Sequence, residues 1–444
     1  MKAMTMWTAA GWLACATGVA AAAPDMAAEA TPAATTCPAN VGEGTTCLAG
    51  RDSAGAFYLI ALPKAWNGDL VLHAHGGPFL GAPTARRVAE DLERWSIMPR
   101  LGYAWAASSY RQGGVAVTAA AQDTERLRQL FIDKVARPKH VWLHGQSWGA
   151  SVAAKGAELF ADGKPYDAVL LTSGVLGGGT RSYDFRLDLR VVYQYLCHNH
   201  PLPSEPQYAL NTGLPAESRL TQAELARRVD DCLGLDKPAA LRTAEQAAKV
   251  KTIVDVIHIP ERSIASHLNW ATWHFQDISS KRTGGASPFG NAGVAYAGSS
   301  DDAALNAGVL RYTADAKAVA TLAADADLGG RVPVPVLTVH AIHDPTAMVE
   351  LQDSFGRTMA AAGRGEALVQ TYTGDREHSY LSDPTYAALM EALVAWATQG
   401  KKPTPEGVAA GCEKARAVLG ATCKFEPGYV PKPLDTRVPA RAKP

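Results

Sequence analysis

Gly145-Gln146-Ser147-Trp148-Gly149 holds a hydroxyl between two glycines, directly after the apolar run Val141-Trp142-Leu143 and directly before a helix-forming stretch. A helix gains nothing from Gly149 and loses about 1 kcal/mol per glycine relative to alanine. Some other demand is therefore met. Where a strand reverses sharply into a helix, the apex residue is forced into strained backbone angles, and small neighbours let the two elements approach. The serine hydroxyl then stands above the sheet, with a helix N-terminus beneath it. Ser147 is the candidate nucleophile; an ordinary glycine-bounded turn is the plainer alternative.

A serine hydroxyl is a poor nucleophile until a base takes its proton, and the base needs an orienting carboxylate. Around a strand–serine–helix turn the chain order is serine, acid, histidine. Asp344, in His343-Asp344-Pro345, follows an apolar run at 334–341 and is the expected acid. A helix cap is its plainer role, and Asp353 and Asp375 are the fallbacks. Of twelve histidines only His378 follows the last expected strand, which makes it the base. A developing oxyanion needs preorganised donors. The amide of Trp148 is one. The other is expected in His75-Gly76-Gly77-Pro78, where Pro78 has no N–H, so Gly77 is preferred and Phe79 is the reserve. His75 is expected to be a structural hydrogen-bonder.

The elements that must hold these residues follow from the texture of the chain. Apolar runs at 57–62, 70–74, 103–108, 141–143 and 168–172 alternate with helical patterns at 84–95, 118–135 and 152–160. Such alternation predicts an α/β fold with a mostly parallel sheet covered on both faces. The rhythm stops near Val175 and resumes at 334–341, then runs helix, strand (368–372) and helix (384–398). The organisation read from this is a leader at 1–22, an N-terminal arm at 23–54, core at 55–180, a mainly helical insert at 181–330, more core at 331–400 and a Lys/Pro-rich tail at 401–444.

The chain has 444 residues, 47% of them hydrophobic, enough for a large core. Its 43 basic and 43 acidic side chains leave no basic block, which disfavours nucleic acid or an anionic membrane as partner. Lys2 precedes an Ala-rich apolar run that ends in small residues before Pro24, the pattern of a secretory signal peptide cleaved after Ala22. The chain is therefore expected to be exported, to a periplasm or the outside. Trp12-Leu13-Ala14-Cys15 is similar to a lipoprotein box, with Trp12 where leucine is expected, so membrane attachment would require lipidation at Cys15. Without Cys15 six cysteines remain, and an even number in an exported chain points to disulfides. Short loops close at low entropic cost, which favours Cys37–Cys47, Cys197–Cys232 and Cys412–Cys423.

HGGP, GQSWG, HDP and a late histidine together resemble the α/β-hydrolase superfamily. The resemblance covers roughly 55–180 and 331–400. It implies an α/β-hydrolase sandwich whose large helical cap is inserted before the acid-bearing strand, with the nucleophile, acid, base and oxyanion roles falling on Ser147, Asp344, His378 and the amides of Gly77 and Trp148. HGGP with SWG looks like the proline-iminopeptidase branch, although Phe79 stands where that branch continues with glycine. Leu62-Pro63 with Trp66-Asn67-Gly68 looks instead like secreted esterase-type members.

In the cap, Trp270, Trp273 and His274 lie at i, i+3 and i+4, on one helix face. With Phe79 they are the candidate substrate-binding residues; a stripe internal to the cap is the alternative. Gly284 to Asn291 reads as a lid edge. The leading reading is a secreted serine hydrolase that cleaves carboxylic esters through an acyl-enzyme. An exported aminopeptidase would need cap carboxylates for a free amine, and Glu261 and Asp277 are available. A silent binding protein is the third reading. No cofactor is implied and no metal ligand set is apparent.

Overall fold

Side chains alternate between two layers along each central strand, as the two-residue period of a strand requires. In β4 (Leu70–Ala74) Leu70, Leu72 and Ala74 enter one hydrophobic cluster and Val71 the other; in β6 (Val141–Gln146) Val141 and Leu143 face Trp142 across the sheet. Both faces being covered, these strands are largely apolar on both sides rather than alternating polar and apolar, with His73, His144 and Gln146 the buried polar exceptions. The computed structural model describes residues 29–441. The proposed leader and Cys15 lie outside the described residues.

Among the described residues nine strands form one sheet in the order β1-β2-β3-β5-β4-β6-β7-β8-β9. The remaining strands are β1 (Ala33–Thr35), β2 (Thr46–Arg51), β3 (Phe57–Leu62), β5 (Ala104–Ser108), β7 (Ala168–Thr172), β8 (Val336–Ala341) and β9 (Leu368–Thr373). The first three pair antiparallel, ending with β3 on β5, and every pair from β5 through β4 to β9 is parallel. Helices α1 (Ala85–Arg94), α2 (Ile97–Arg100), α3 (Val117–Lys134) and α4 (Trp148–Leu159) fill the crossovers of the first half. This strand order, with a serine at the turn from β6 to α4, is the α/β-hydrolase fold.

Between the neighbouring strands β7 and β8 comes the helical insert. It holds α5 (Asp184–Cys197), α6 (Gln222–Leu233), α7 (Ala244–Ile257), α8 (Ile264–Asp277), α9 (Asp302–Gly308) and α10 (Ala316–Ala326). The core then resumes with α11 (Leu351–Ala361) and α12 (Asp383–Gln399), and α13 (Pro405–Leu419) follows. The three disulfides are Cys37–Cys47, Cys197–Cys232 and Cys412–Cys423. No helix among the described residues is long and apolar enough to cross a membrane.

Two ends of the chain differ from the expected arm and tail. Residues 33–35 and 46–51 extend the sheet, the first as its edge strand and the second paired on both sides, because backbone hydrogen bonds hold strands that have little apolar alternation. The Lys/Pro-rich end contains α13, started by Thr404 as N-cap and Pro405 in the first turn, and only Val408 and Cys412 of it are fully buried, with Leu419 packed half-buried beside them. Beyond it, Leu434 and Val438 are buried in the main cluster. Arg441 ion-pairs with Asp188 at 2.6 Å and with Asp184 at 3.8 Å, both buried carboxylates at the start of α5.

Removing one partner of a buried ion pair leaves an uncompensated charge and costs about 3 kcal/mol or more. Arg441→Met is therefore expected to destabilise the protein by about that amount, read as a lower urea midpoint at unchanged slope.

Candidate active site

β6 ends at Gln146 and α4 begins at Trp148, so Ser147 alone makes the turn. Its backbone sits at φ 56°, ψ −123°, a region that costs a non-glycine residue roughly 1–3 kcal/mol. The surroundings hold it there: Ser147 N–H donates to the Thr172 carbonyl of β7 (2.9 Å), and Val175 N–H donates to the Ser147 carbonyl (3.1 Å). The flanking glycines are required by contact. A Cβ on Gly149 would collide with the carbonyl oxygen of Ala74, and one on Gly145 would stand 2.7 Å from the Cβ of Ala153. The helix starts four residues earlier than its apolar pattern indicates, which puts the Trp148 amide at its first position, without an intrahelical acceptor.

The loop after β9 brings His378 to this turn. Its Nε2 is 2.7 Å from Ser147 Oγ, and its Nδ1 is 2.7 Å from Asp344 Oδ2 and 3.0 Å from Oδ1. Asp344 lies at the C-terminal end of β8 with its side chain buried, and its Oδ1 also accepts the amides of Thr346 (2.7 Å) and Ala347 (2.9 Å). The carboxylate is thus both the partner of His378 and the cap of its own turn. The fallback acids are committed elsewhere, Asp353 to Arg357 and Asp375 to Lys424. Such an arrangement can draw a proton from Oγ to Nε2 while Asp344 holds the ring in the Nδ1–H tautomer.

Among the described residues no other histidine near the turn hydrogen-bonds to Ser147. His144 and His73 lie beneath the sheet with their Nδ1 atoms 2.9 Å apart, and burial pulls His144 down to about 3. His75 stacks on Tyr110, donates from Nδ1 to the Gly76 carbonyl at 3.0 Å, and is pulled down to about 3 by burial and the nearby Arg87. His340 is buried against the Ala347 carbonyl, and His343 is exposed.

Gly76 and Gly77 bring backbone against the serine. A Cβ on Gly76 would lie 3.0 Å from the Ser147 Cβ, and Gly77 adopts φ +75°. Several of the loop's polar groups are engaged: the Gly76 carbonyl accepts from Arg87 Nη2 (2.7 Å), the Pro78 carbonyl from His274 Nε2 (3.0 Å), and the Phe79 amide donates to the Gly77 carbonyl (3.1 Å). The reserve donor is therefore already used, whereas among the described residues the amides of Gly76 and Gly77 have no acceptor.

Above the serine is a cleft of about 640 Å³. Its lining includes Ser147, Trp148, His378, Gly77, Phe79, Trp270 and His274. Trp270 and His274 stack in parallel planes with centroids 4.6 Å apart. Trp273 does not line this cleft and packs against the main core, which corrects its assignment to the same surface. Position i+3 lies 60° to one side of Trp270 and i+4 lies 40° to the other, so a narrow cleft admits only one flank. Burial, as the larger effect, pulls His274 down to about 4. The neutral ring donates to the loop carrying Gly77. The segment 284–291 is absent from the lining, and Ser287, Phe289 and Asn291 within it are buried.

Periodicity did not single out Tyr183, Arg186, Gln222 or Thr346, which also line the cleft. The available cue was an arginine, Arg186, just after two aromatics, Tyr183 and Phe185, at the opening of the first cap helix. Helix α8 touches the loops around Ser147 more than once: besides His274 on Pro78, His267 Nε2 donates to the Pro345 carbonyl beside Asp344 (3.1 Å). Among the described residues no three His, Cys, Asp or Glu side chains gather so as to hold a metal ion.

The structure is similar to feruloyl esterase B from Aspergillus oryzae, at 13% identity over 81% of each chain with a TM-score of 0.42. It is similar also to tannin acyl hydrolase from Aspergillus niger, at 11% identity over 85% of this chain and 83% of that one, TM-score 0.45. A third likeness is to the rice cell wall degrading esterase LipA from Xanthomonas oryzae, at 14% identity over 85% of this chain and 100% of that one, TM-score 0.38. No family model and no curated protein sequence matches the chain.

Gly149→Ala forces a methyl group into the backbone of β4. It is expected to cost about 3 kcal/mol, seen as a lowered unfolding midpoint, whereas Gly163→Ala, whose Cβ meets nothing within 4 Å, should leave the midpoint unchanged within error.

Proposed function

We propose that this chain is an exported serine hydrolase that cleaves carboxylic esters through an acyl-enzyme. The observation that carries the reading is the unbroken chain from Ser147 Oγ through His378 to Asp344, with contacts of 2.7 Å on both sides of the imidazole. Ser147 Oγ attacks the ester carbonyl as its proton passes to His378 Nε2. The oxyanion is held by the amides of Trp148 and Gly77. Collapse expels the alcohol, which takes the proton from Nε2, and the acyl group stays on Oγ. Water then repeats the attack with His378 as base, releasing the acid and restoring Ser147.

Ester rather than peptide cleavage is favoured by what lines the cleft. Three arginines and no aspartate or glutamate face it, so a free amino terminus finds no counter-charge there. The two cap carboxylates an aminopeptidase could use are engaged: Glu261 pairs with Arg242, and Asp277 accepts from Arg282 (3.2 Å) and the Val115 amide (3.0 Å). Export is supported by three disulfides, which persist in oxidising compartments, and by the signal-like leader.

A fluorophosphonate probe should modify Ser147 in the wild type and fail on Ser147→Ala. Asp344→Asn should reduce kcat on a p-nitrophenyl ester by about 10⁴, because the imidazole loses the partner that sets its tautomer. Prolyl and alanyl anilides should be turned over far more slowly than esters. A folded wild type that neither labels nor hydrolyses any ester would overturn the reading.

A further inference from the structure

Among the described residues Arg186 is a buried cation without an anion. It lies in the first turn of α5 and is 4% exposed, yet it is among the residues that line the cleft above Ser147. Its guanidinium stands over the rings of Trp270 (4.3 Å), Phe185 (4.8 Å) and Tyr183 (5.2 Å). Only Nε has a protein acceptor, His267 Nδ1 at 3.3 Å; Nη1 is buried without a partner. Burial lowers its pKa to about 10, which leaves it charged at neutral pH.

The acids nearest in sequence do not serve it. Asp184 pairs with Arg181 at 2.9 Å, and Asp188 pairs with Arg441 at 2.6 Å. One turn on, Arg190 is buried just as deeply, but its guanidinium donates to the carbonyls of Leu210 and Ala271 (2.8 Å each) and to Tyr208 Oη (3.1 Å). Arg190 is a structural arginine with both terminal nitrogens bonded, only its Nε being left without an acceptor. Arg186 keeps its Nη1–Nη2 edge unbonded, and desolvating such donors is costly unless something pairs with them. The other two arginines of the cleft add to the positive field, although Arg87 is already held by the Gly76 carbonyl and Asp91.

We propose that Arg186 recognises a carboxylate carried by the ester substrate, so that the preferred substrates are esters bearing a free acid group. A planar guanidinium edge offers two parallel donors that match the two oxygens of a carboxylate. The aromatic residues around it fix its orientation and exclude water, which strengthens the pairing. This inference rests on the serine-hydrolase reading.

Two matched pairs of esters test it. In one the acid is on the acyl side, p-nitrophenyl 4-carboxybenzoate against p-nitrophenyl 4-methylbenzoate. In the other it is on the alcohol side, 4-carboxyphenyl acetate against 4-methylphenyl acetate. After division by hydroxide-catalysed rates, the wild type should favour the acid in at least one pair by tenfold or more in kcat/KM, mostly through KM. Arg186→Met should bring that ratio to about one, and Arg186→Lys should leave it between the two. If Arg186→Met does not fold, inhibition of the wild type decides: 4-methylbenzoate should compete with the neutral ester at a concentration at least tenfold below that of 4-methylbenzamide. Turnover without preference for an acid in either pair, a preference that survives Arg186→Met, or equal inhibition by acid and amide overturns the proposal and leaves the hydrolase reading standing. No turnover of all four esters, with Ser147 unlabelled by fluorophosphonate, overturns both.

Discussion

A serine held at φ 56° between the end of a strand and the start of a helix constrains most of the surrounding structure. The conformation is unfavourable by itself and persists because β4 and β7 lock it from both sides. Gly149 is pressed on the carbonyl of Ala74, and the Ser147 amide is held by Thr172. The loop that carries Gly76 and Gly77 begins directly after β4. The same close packing that forces glycine at 149 therefore brings Gly76 and Gly77 against the hydroxyl. Strain at the apex and preorganisation of the site are one arrangement seen from two sides.

The cap is more than a cover over this site. Helix α8 donates hydrogen bonds to two carbonyls, Pro78 in the loop that carries Gly77 and Pro345 beside Asp344. Just ahead of α8, Arg262 donates to the carbonyl of Arg376, two residues before His378 (2.6 Å). Three loops that come from distant parts of the chain are thus referred to one cap segment. Burial keeps His267 and His274 neutral, so each ring can be a single-tautomer donor. The C-terminal segment closes the arrangement from outside, with Arg441 neutralising the acids of α5 and Arg437 pairing with Glu350.

Charge inside the cap is sorted by this packing. The acids of α5 face the C-terminal segment and its arginines, while Arg186 faces the cleft without one. Because Asp184 and Asp188 each lie two positions away in sequence, local pairing within α5 would have been the simpler expectation. Helix geometry prevents it, since neighbours on one face are three and four residues apart.

By itself the sequence determined the fold class, the parallel core, the position of the insert and the identity of the three residues that meet at the turn. Those conclusions rest on periodicity, on glycines around Ser147 and on His378 being the single histidine after the last strand, all of which are local or ordinal properties of the chain. Weakly apolar pieces were less legible. The strands at 33–35 and 46–51 and the helix at 405–419 bury few side chains, and backbone pairing or a few contacts hold them. Only the tertiary structure decided which flank of α8 looks into the cleft, separating Trp270 and His274 from Trp273. It alone left Arg186 without a counter-ion while its neighbours in sequence found theirs, because burial and pairing depend on which distant segments close over a helix, and no spacing along the chain encodes that.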